Sequence, residues 1–390
     1  MSIAVLALLF TAGFACAAGY EKVLTEDVSV QTALSINHDI LIQSQNVEYA
    51  RQRINESQSL YFPKVDFNLN VSRFNNEEPM IVFGESVPSP IYLPQANKDV
   101  YFSTRLSIWQ NIYAGGRIKT ANRLAEMNMN KVKNEENLVK IRVVNRVRTV
   151  FSECLYYKAK IALYSRKLKS AEEQKIKMTP AETDETNSKL EIAQFNYDKE
   201  VLNLLSAIGL ELNTIVDISG EFKPRLKNID LEHCLLLAYQ FKPEIQMTQY
   251  QETIDGLMVS LLSLQRYPTV SVGAAQEWIG DRVIGDESSW YVAANVNIPI
   301  FDGGGAFARV KQGKINARGA AIKRSKTEEE LRLQVSTALL EYNFWKKQFI
   351  QSKAMEREGG FTEADLDIIN NLNRSYFALE LAVGVQLDSY

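Results

Sequence analysis

Histidine is almost absent: His38 and His233 are the only two in 390 residues, on separate helical stretches. General-base chemistry through imidazole is therefore poorly supplied. Cysteine is scarce too, with Cys16 in an N-terminal apolar run and Cys154 and Cys234 far apart in helical patterns, without metal-like spacing. One intramolecular disulfide is the most the mature chain could form, and two half-buried small apolar side chains are the simpler reading. Neither charge sign dominates, since 44 Lys and Arg face 47 Asp and Glu, for a net charge of -3. Nothing in that balance invites nucleic acid. A phosphate loop is missing as well, because no Gly-Lys-Ser/Thr follows Gly303-Gly304-Gly305 and the strand before it alternates instead of being continuously apolar. The acidic residues are scattered at surface-like spacing and form no general acid and base pair. The chain is not expected to be an enzyme, and no cofactor or metal is implied.

Long apolar runs are also lacking. The longest candidate, residues 3–14, is too short to span a bilayer as a helix and precedes Ala15-Cys16-Ala17, which has the small-x-small form of a signal-peptidase site. A signal peptide over residues 1–17 is expected, although the first basic residue is Lys22 and the usual basic n-region is not seen. Cys16 opens a lipoprotein alternative, against which stands Gly13 where a lipobox would carry leucine.

What the chain does have is one pattern stated twice. Asn297-Ile298-Pro299-Ile300-Phe301-Asp302-Gly303-Gly304-Gly305 is echoed by Trp109-Gln110-Asn111-Ile112-Tyr113-Ala114-Gly115-Gly116-Arg117. In both, a strand-like run breaks at paired glycines and a long charged helical pattern begins, and a sharp turn from strand to helix needs backbone angles open to glycine. Upstream, Ala33, Asn37 to Ile40 and Tyr61 to Val65 align at one constant offset with Ala238, Lys242 to Ile245 and Arg266 to Val270. Each half reads helix, proline, strand, loop, strand, Gly-Gly, long helix, which is an internal duplication.

The strands alternate. Val65, Phe67, Leu69 and Val71 are interleaved with Asp66, Asn68, Asn70 and Ser72, and Phe102 to Ile108 behave likewise against Tyr101, Ser103, Arg105 and Ser107. The second half repeats the pattern from Thr269 to Ala274 and from Trp290 to Ile298. Strands of about ten residues, apolar on one face and polar on the other, suit a tilted membrane crossing with lipid outside and water inside. Four such strands cannot close a barrel, and an open edge in lipid is prohibitive, so the barrel must be shared with further copies.

After Gly116 a helical pattern runs to the neighbourhood of Met178, with a stripe through Leu138, Ile141, Val144, Val147, Phe151, Leu155, Ile161 and Leu168 that reads as packing core. Residues 117–177 are basic and 181–210 acidic, and the contrast recurs between 309–357 and 361–390. Two antiparallel helical hairpins, held partly by complementary charge, are the simple inference. Their turns are expected near Thr179-Pro180-Ala181 and Gly359-Gly360, and residues 211–230 form the joint between halves. Boundaries are thus expected at 18–210 for the first repeat, with its β-hairpin at 64–113, and 231–390 for the second, with its β-hairpin at 269–301.

Tyr61-Phe62-Pro63, Tyr267-Pro268, Pro299 to Gly304, Val310-Lys311-Gln312 and Gly360 to Leu366, taken in order, resemble the TolC-type outer-membrane efflux proteins over nearly the whole mature chain. The resemblance implies a mainly α fold with a β membrane part: duplicated long helical hairpins and two β-hairpins, assembled as a homotrimer with a shared 12-stranded barrel and a periplasmic α-barrel. It implies a passive exit duct of a tripartite efflux or secretion system in the outer membrane and its lipid, its helical part in the periplasm, served by a periplasmic adaptor and an inner-membrane transporter. Asn68, Asn70, Ser72, Arg105, Asn295 and Asn297 would line the barrel, and Gly115, Gly116, Gly303 and Gly304 would make the strand–helix turns. Asp365, in the Thr-x-x-Asp that starts at Thr362, matches the residue of the periplasmic constriction, with Asp367 beside it and Thr183-Asp184 as counterpart in the first turn. These acids could equally be first-turn residues placed by the helix dipole. The chain departs from the family in carrying Phe361 where some members have a basic latch, in helical arms that read one or two heptads short, and in ending soon after the last helix. A periplasmic coiled-coil adaptor or a lipid-anchored scaffold are the alternatives from other classes.

Overall fold

The computed structural model describes residues 22–73, 81–82, 91–92, 100–173, 179–285, 287–352 and 360–387. The expected signal peptide, most of the loop between the first two long strands and parts of both helical turns lie outside the described residues. In chain order the elements are β1 (Lys22–Leu24), α1 (Glu26–Ile36), α2 (His38–Ser59), β2 (Lys64–Arg73), β3 (Ile81–Val82), β4 (Ile91–Tyr92), β5 (Val100–Tyr113), α3 (Arg117–Glu172) and α4 (Pro180–Ile208). They continue with β6 (Val216–Ile218), α5 (Leu231–Phe241), α6 (Pro243–Leu264), β7 (Thr269–Gly280), β8 (Glu287–Asn297), α7 (Gly305–Ser352) and α8 (Glu363–Val383). Among the described residues no helix is long and apolar enough to cross a membrane.

Periodicity alone makes one helix of residues 28–61, but the chain breaks it at Asn37. That residue leaves helical angles at ψ 128, and its side-chain oxygen accepts from the Asp39 and Ile40 amides while its amide donates to the Ala207 carbonyl. The corresponding break in the second half falls at Lys242, which is extended at ψ 119 because Pro243 follows it. Both breaks fall at positions that the repeat alignment pairs.

Two compact units result. The first comprises the described parts of residues 1–45, 135–245 and 328–390, and the second those of 46–134 and 246–327. In the first unit, Val147, Phe151 and Cys154 of α3 pack with Leu204 and Ile208 of α4, Tyr342 of α7 and Tyr376 and Phe377 of α8 in one buried cluster. Contacts link α4 to α3, α3 to α8 and α8 to α7, and Lys189 of α4 also reaches Glu363 of α8 at 3.6 Å. Glu153 and Cys154 face Glu200, Arg374 Nη2 approaches Glu153 Oε1 to 2.5 Å, and the Tyr342 and Tyr376 rings lie 5.7 Å apart. Within the joint between halves, β6 pairs in parallel with β1, from Lys22 opposite Val216 to Leu24 opposite Ile218. Neither short strand announces itself in the sequence, since three residues carry too little alternation to read.

In the second unit β2, β5, β7 and β8 form one antiparallel sheet in that order, so β5 and β7 join the two hairpins and β2 and β8 are the edges. Helices flank it in a matching order. Ser57 of α2 bonds Asn122 of α3, Lys131 of α3 bonds Gln251 of α6, and Arg309 of α7 bonds Gln265 of α6.

Candidate functional site

Directly opposed residues of antiparallel strands share a face, so the sheet's register sorts its side chains. One row runs Asn68, Arg105, Glu277, Ser289, and its neighbour runs Asp66, Ser107, Ala275, Tyr291. Asn70 and Ser72 follow on the same face of β2, while Asn295 opposite Ser271 and Asn297 opposite Thr269 occupy it on β8. All six polar residues named from the sequence therefore stand on one face. The other face carries Val65, Ile108, Ala274, Val292 in one row and Phe67, Leu106, Gln276, Trp290 in the next. It is wet in a single chain: Val65, Phe67, Val292 and Trp290 are all more than 60% exposed. Monomeric soluble proteins rarely leave a contiguous apolar face of this kind uncovered.

The polar face is the more enclosed one. Trp109 lies across Gly273, whose missing side chain is what makes room: a Cβ there would sit 2.4 Å from the indole ring. Ser107 and Ala275 are buried beside it. Arg105 directs both Nε and Nη2 to Oε1 of Glu277. Glu277 is absent from the sequence-level reading because β7 extends through Gly280, beyond the part whose alternation is clean.

The paired glycines sit at the strand–helix turns in left-handed conformations, with φ of +59 and +82 at Gly115 and Gly116 and +67 and +88 at Gly303 and Gly304. A side chain would be strained at all four. Gly115 is doubly constrained, since its Cβ would lie 2.5 Å from that of Tyr267.

At the helical turns the three aspartates fare differently. Asp365 is 2% exposed and closes a capping box on α8: its carboxylate accepts from the Thr362 amide at 2.9 Å and the Thr362 hydroxyl at 2.6 Å. Asp367 is about half exposed, takes the Tyr156 hydroxyl proton in a hydrogen bond and pairs with Lys160 at 2.7 Å. Burial first, and then that bond to Asp367, push the Tyr156 phenol up. Asp184 is exposed on α4. The geometric counterpart of Thr362 and Asp365 in the first turn is not Thr183-Asp184 but Thr179 with Glu182, the other capping box. The bonds to the Thr179 backbone and then its hydroxyl hold the Glu182 carboxyl below its usual range. A capping box places the acid three residues after the cap, which Thr179 and Glu182 satisfy and Thr183-Asp184 does not.

One buried network had no signal in the sequence. Arg148 of α3 donates to Glu26 and to Glu380 of α8, and Arg225 of the joint also donates to Glu26. The Arg148 and Arg225 guanidiniums lie 5.1 and 4.8 Å from the centroid of the Phe377 ring. Charge complementarity between basic and acidic helices is thus realised across α3 and α8, helices of different halves. Among the described residues, no cluster of His, Cys, Asp and Glu could hold a metal ion.

Residues 29–176 match the outer membrane efflux protein family. No curated protein matches the chain in sequence. In fold it is similar to the outer-membrane channel OprN, with 13% identity, a TM-score of 0.71 and coverage of 93% of this chain and 90% of that one. It is similar also to the MtrE outer membrane channel of Neisseria gonorrhoeae in its open state, with 13% identity, a TM-score of 0.71 and coverage of 92% and 89%. VceC, an outer membrane protein of Vibrio cholerae, aligns at 13% identity with a TM-score of 0.65 over 92% of this chain and 96% of its own. The resemblance to TolC-type outer-membrane efflux proteins therefore holds at two levels, as a sequence match over residues 29–176 and as the fold of nine tenths of the chain.

Proposed function

We propose that this protein is the outer-membrane exit duct of a tripartite efflux or secretion system, a homotrimer whose copies share one 12-stranded barrel. The observation that carries the reading is the four-stranded sheet: apolar and exposed on one face, polar on the other with only its centre at Ser107 and Ala275 buried, and ending in two long edges, β2 and β8. Such edges are open templates for further pairing, and in lipid every backbone group needs a partner. Pairing of β8 with β2 of the next copy satisfies both edges by one repeated contact, and a heterologous contact that closes makes a ring. Three copies of four strands give the barrel, with Asn68, Asn70, Ser72, Arg105, Asn295 and Asn297 facing the water-filled lumen and Gly115, Gly116, Gly303 and Gly304 turning each strand into its helix.

The helices support the same closure. In the first unit α4 and α7 each show exposed apolar residues, Ile192, Phe195 and Leu202 on one and Leu333, Leu340, Phe344 and Ile350 on the other. A periplasmic adaptor and an inner-membrane transporter would engage the helical turns and open them. There Asp184 offers an exposed carboxylate to the passage, Asp367 a half-exposed one shared with Lys160, and Asp365 holds the first turn of α8. A ring of such acids favours cations. The function is conduction, so the protein itself uses no nucleotide and no cofactor.

The mass of the detergent-extracted particle from an outer-membrane fraction, by light scattering coupled to size exclusion, tests this directly. Three chains per particle are expected. A monomer in the soluble fraction would remove the shared barrel and put a scaffold role in its place.

A further inference from the structure

We propose that Arg105 and Glu277 form a charge-cancelling pair on the polar face of the sheet that makes the barrel indifferent to the charge of what it passes. The inference rests on the duct reading and adds a specificity-determining pair to it. Arg105 on β5 and Glu277 on β7 are directly opposed, and two guanidinium nitrogens converge on one carboxylate oxygen. The arrangement has room because the next row is small, with Ser107 and Ala275 both buried. Glu277 is the less exposed partner, at 15% of its side chain against 31% for Arg105, so the guanidinium covers the carboxylate. On the same face Lys64 and Asp66 lie two residues apart on β2 and pair at 3.0 Å. Glu287, the remaining acid of that face in the described strands, opens β8 at its loop end.

A lone charge on the wall of a narrow aqueous passage draws counter-ions and repels co-ions, and low-dielectric walls focus its field. Symmetry would multiply a lone charge into a ring. A closed pair presents a dipole instead, whose field dies away faster with distance. Cross-strand pairs of opposite charge also stabilise sheets modestly, and a merely structural pair would do that and nothing more. Selectivity separates the two roles, since only the cancelling role predicts opposite shifts when opposite partners are removed.

The full chain is reconstituted in planar bilayers, and the potassium to chloride permeability ratio is read from the reversal potential under a salt gradient. Arg105→Gln should shift the ratio severalfold toward cations and Glu277→Gln severalfold toward anions, while Arg105→Glu combined with Glu277→Arg should restore the wild-type value. If both single variants keep the wild-type ratio, or both move it the same way, the pair does not set selectivity. Should a single variant fail to assemble, the reversed pair replaces it: Arg105→Glu combined with Glu277→Arg should keep the wild-type ratio, and a changed ratio overturns the inference. A wild-type protein that gives no conductance at all fails at the earlier step, the duct itself.

Discussion

Arg148 joins Glu26 and Glu380 in the first unit's buried ion-pair network. Its side chain is 7% exposed between Glu26 and a Glu380 that is 4% exposed, and Glu380 also accepts the Leu387 amide at 2.8 Å. Arg148→Met would strand a carboxylate in the core, and removing one partner of a buried pair costs roughly 3–5 kcal/mol. We expect a marked drop in the thermal unfolding midpoint of that variant, with much of it regained when Glu380→Gln is added; additive losses would show that the two do not act as a pair. Asp365 supplies a smaller and more local contribution. Asp365→Ala removes half of a capping box, worth about 1 kcal/mol, and on the duct reading also raises single-channel conductance by loosening the turn. A lowered stability with an unchanged record would leave the residue as a cap only. Cys234 gives the pH test. Burial first, and Asp230 second, push its thiol up to about 11, against an ordinary value near 9. The unfolded chain ionises first as pH rises, so this contribution to stability is full below pH 9 and is lost between about 9 and 11. Iodoacetamide should accordingly label Cys234 slowly in the native protein at pH 8 and quickly in denaturant; fast native labelling would contradict the buried placement.

The strand–helix turns bring the glycines to the scale of the element. All four are left-handed, but only Gly115 is also hemmed in by a neighbour, whereas nothing lies within 4 Å of a Cβ built at Gly303 or Gly304. Gly303→Ala should cost about 1 kcal/mol, the price of a left-handed alanine, and Gly115→Ala clearly more because Tyr267 must move. Equal destabilisation in a thermal melt would mean that the contact with Tyr267 is slack. These turns were readable from the sequence because paired glycines between a period of two and a period of 3.6 mark little else than a sharp turn from strand into helix. The polar face was readable for the same reason, since alternation assigns Asn68, Arg105 and Asn297 to faces without any knowledge of pairing. Pairing itself was not readable. That Arg105 meets Glu277, or Arg148 meets Glu380, depends on which strand and helix lie adjacent, and residues 172 and 232 apart leave no local trace. The break at Asn37 was hidden for a related reason. Its side chain caps α2 locally, but its amide is held by the distant Ala207 carbonyl, and apolar spacing continues through it undisturbed.

At the scale of the whole molecule, the duct reading would have copies meet through the exposed stripes of α4 and α7. Contacts within the first unit set their relative height. Tyr342 of α7 lies beside Tyr376 of α8, Asn373 of α8 reaches Ser152 of α3, and Glu153 and Cys154 of α3 face Glu200 of α4. Following these contacts across the four helices puts Leu202 at the level of Leu340 and Phe344, and Phe195 near that of Ile350. On the trimer reading, α7 of one copy therefore packs on α4 of the next at this register. Leu202→Cys together with Phe344→Cys should form a disulfide between copies under mild oxidation, giving dimers and trimers on a non-reducing gel. Native Cys154 and Cys234 do not confuse the result, because both are fully buried. The control pairs Leu202→Cys with Ile315→Cys, a residue of α7 that is equally exposed but belongs to the second unit. Crosslinking of the control but not of the matched pair would displace the register, and crosslinking of neither would mean that these stripes face something other than a second copy.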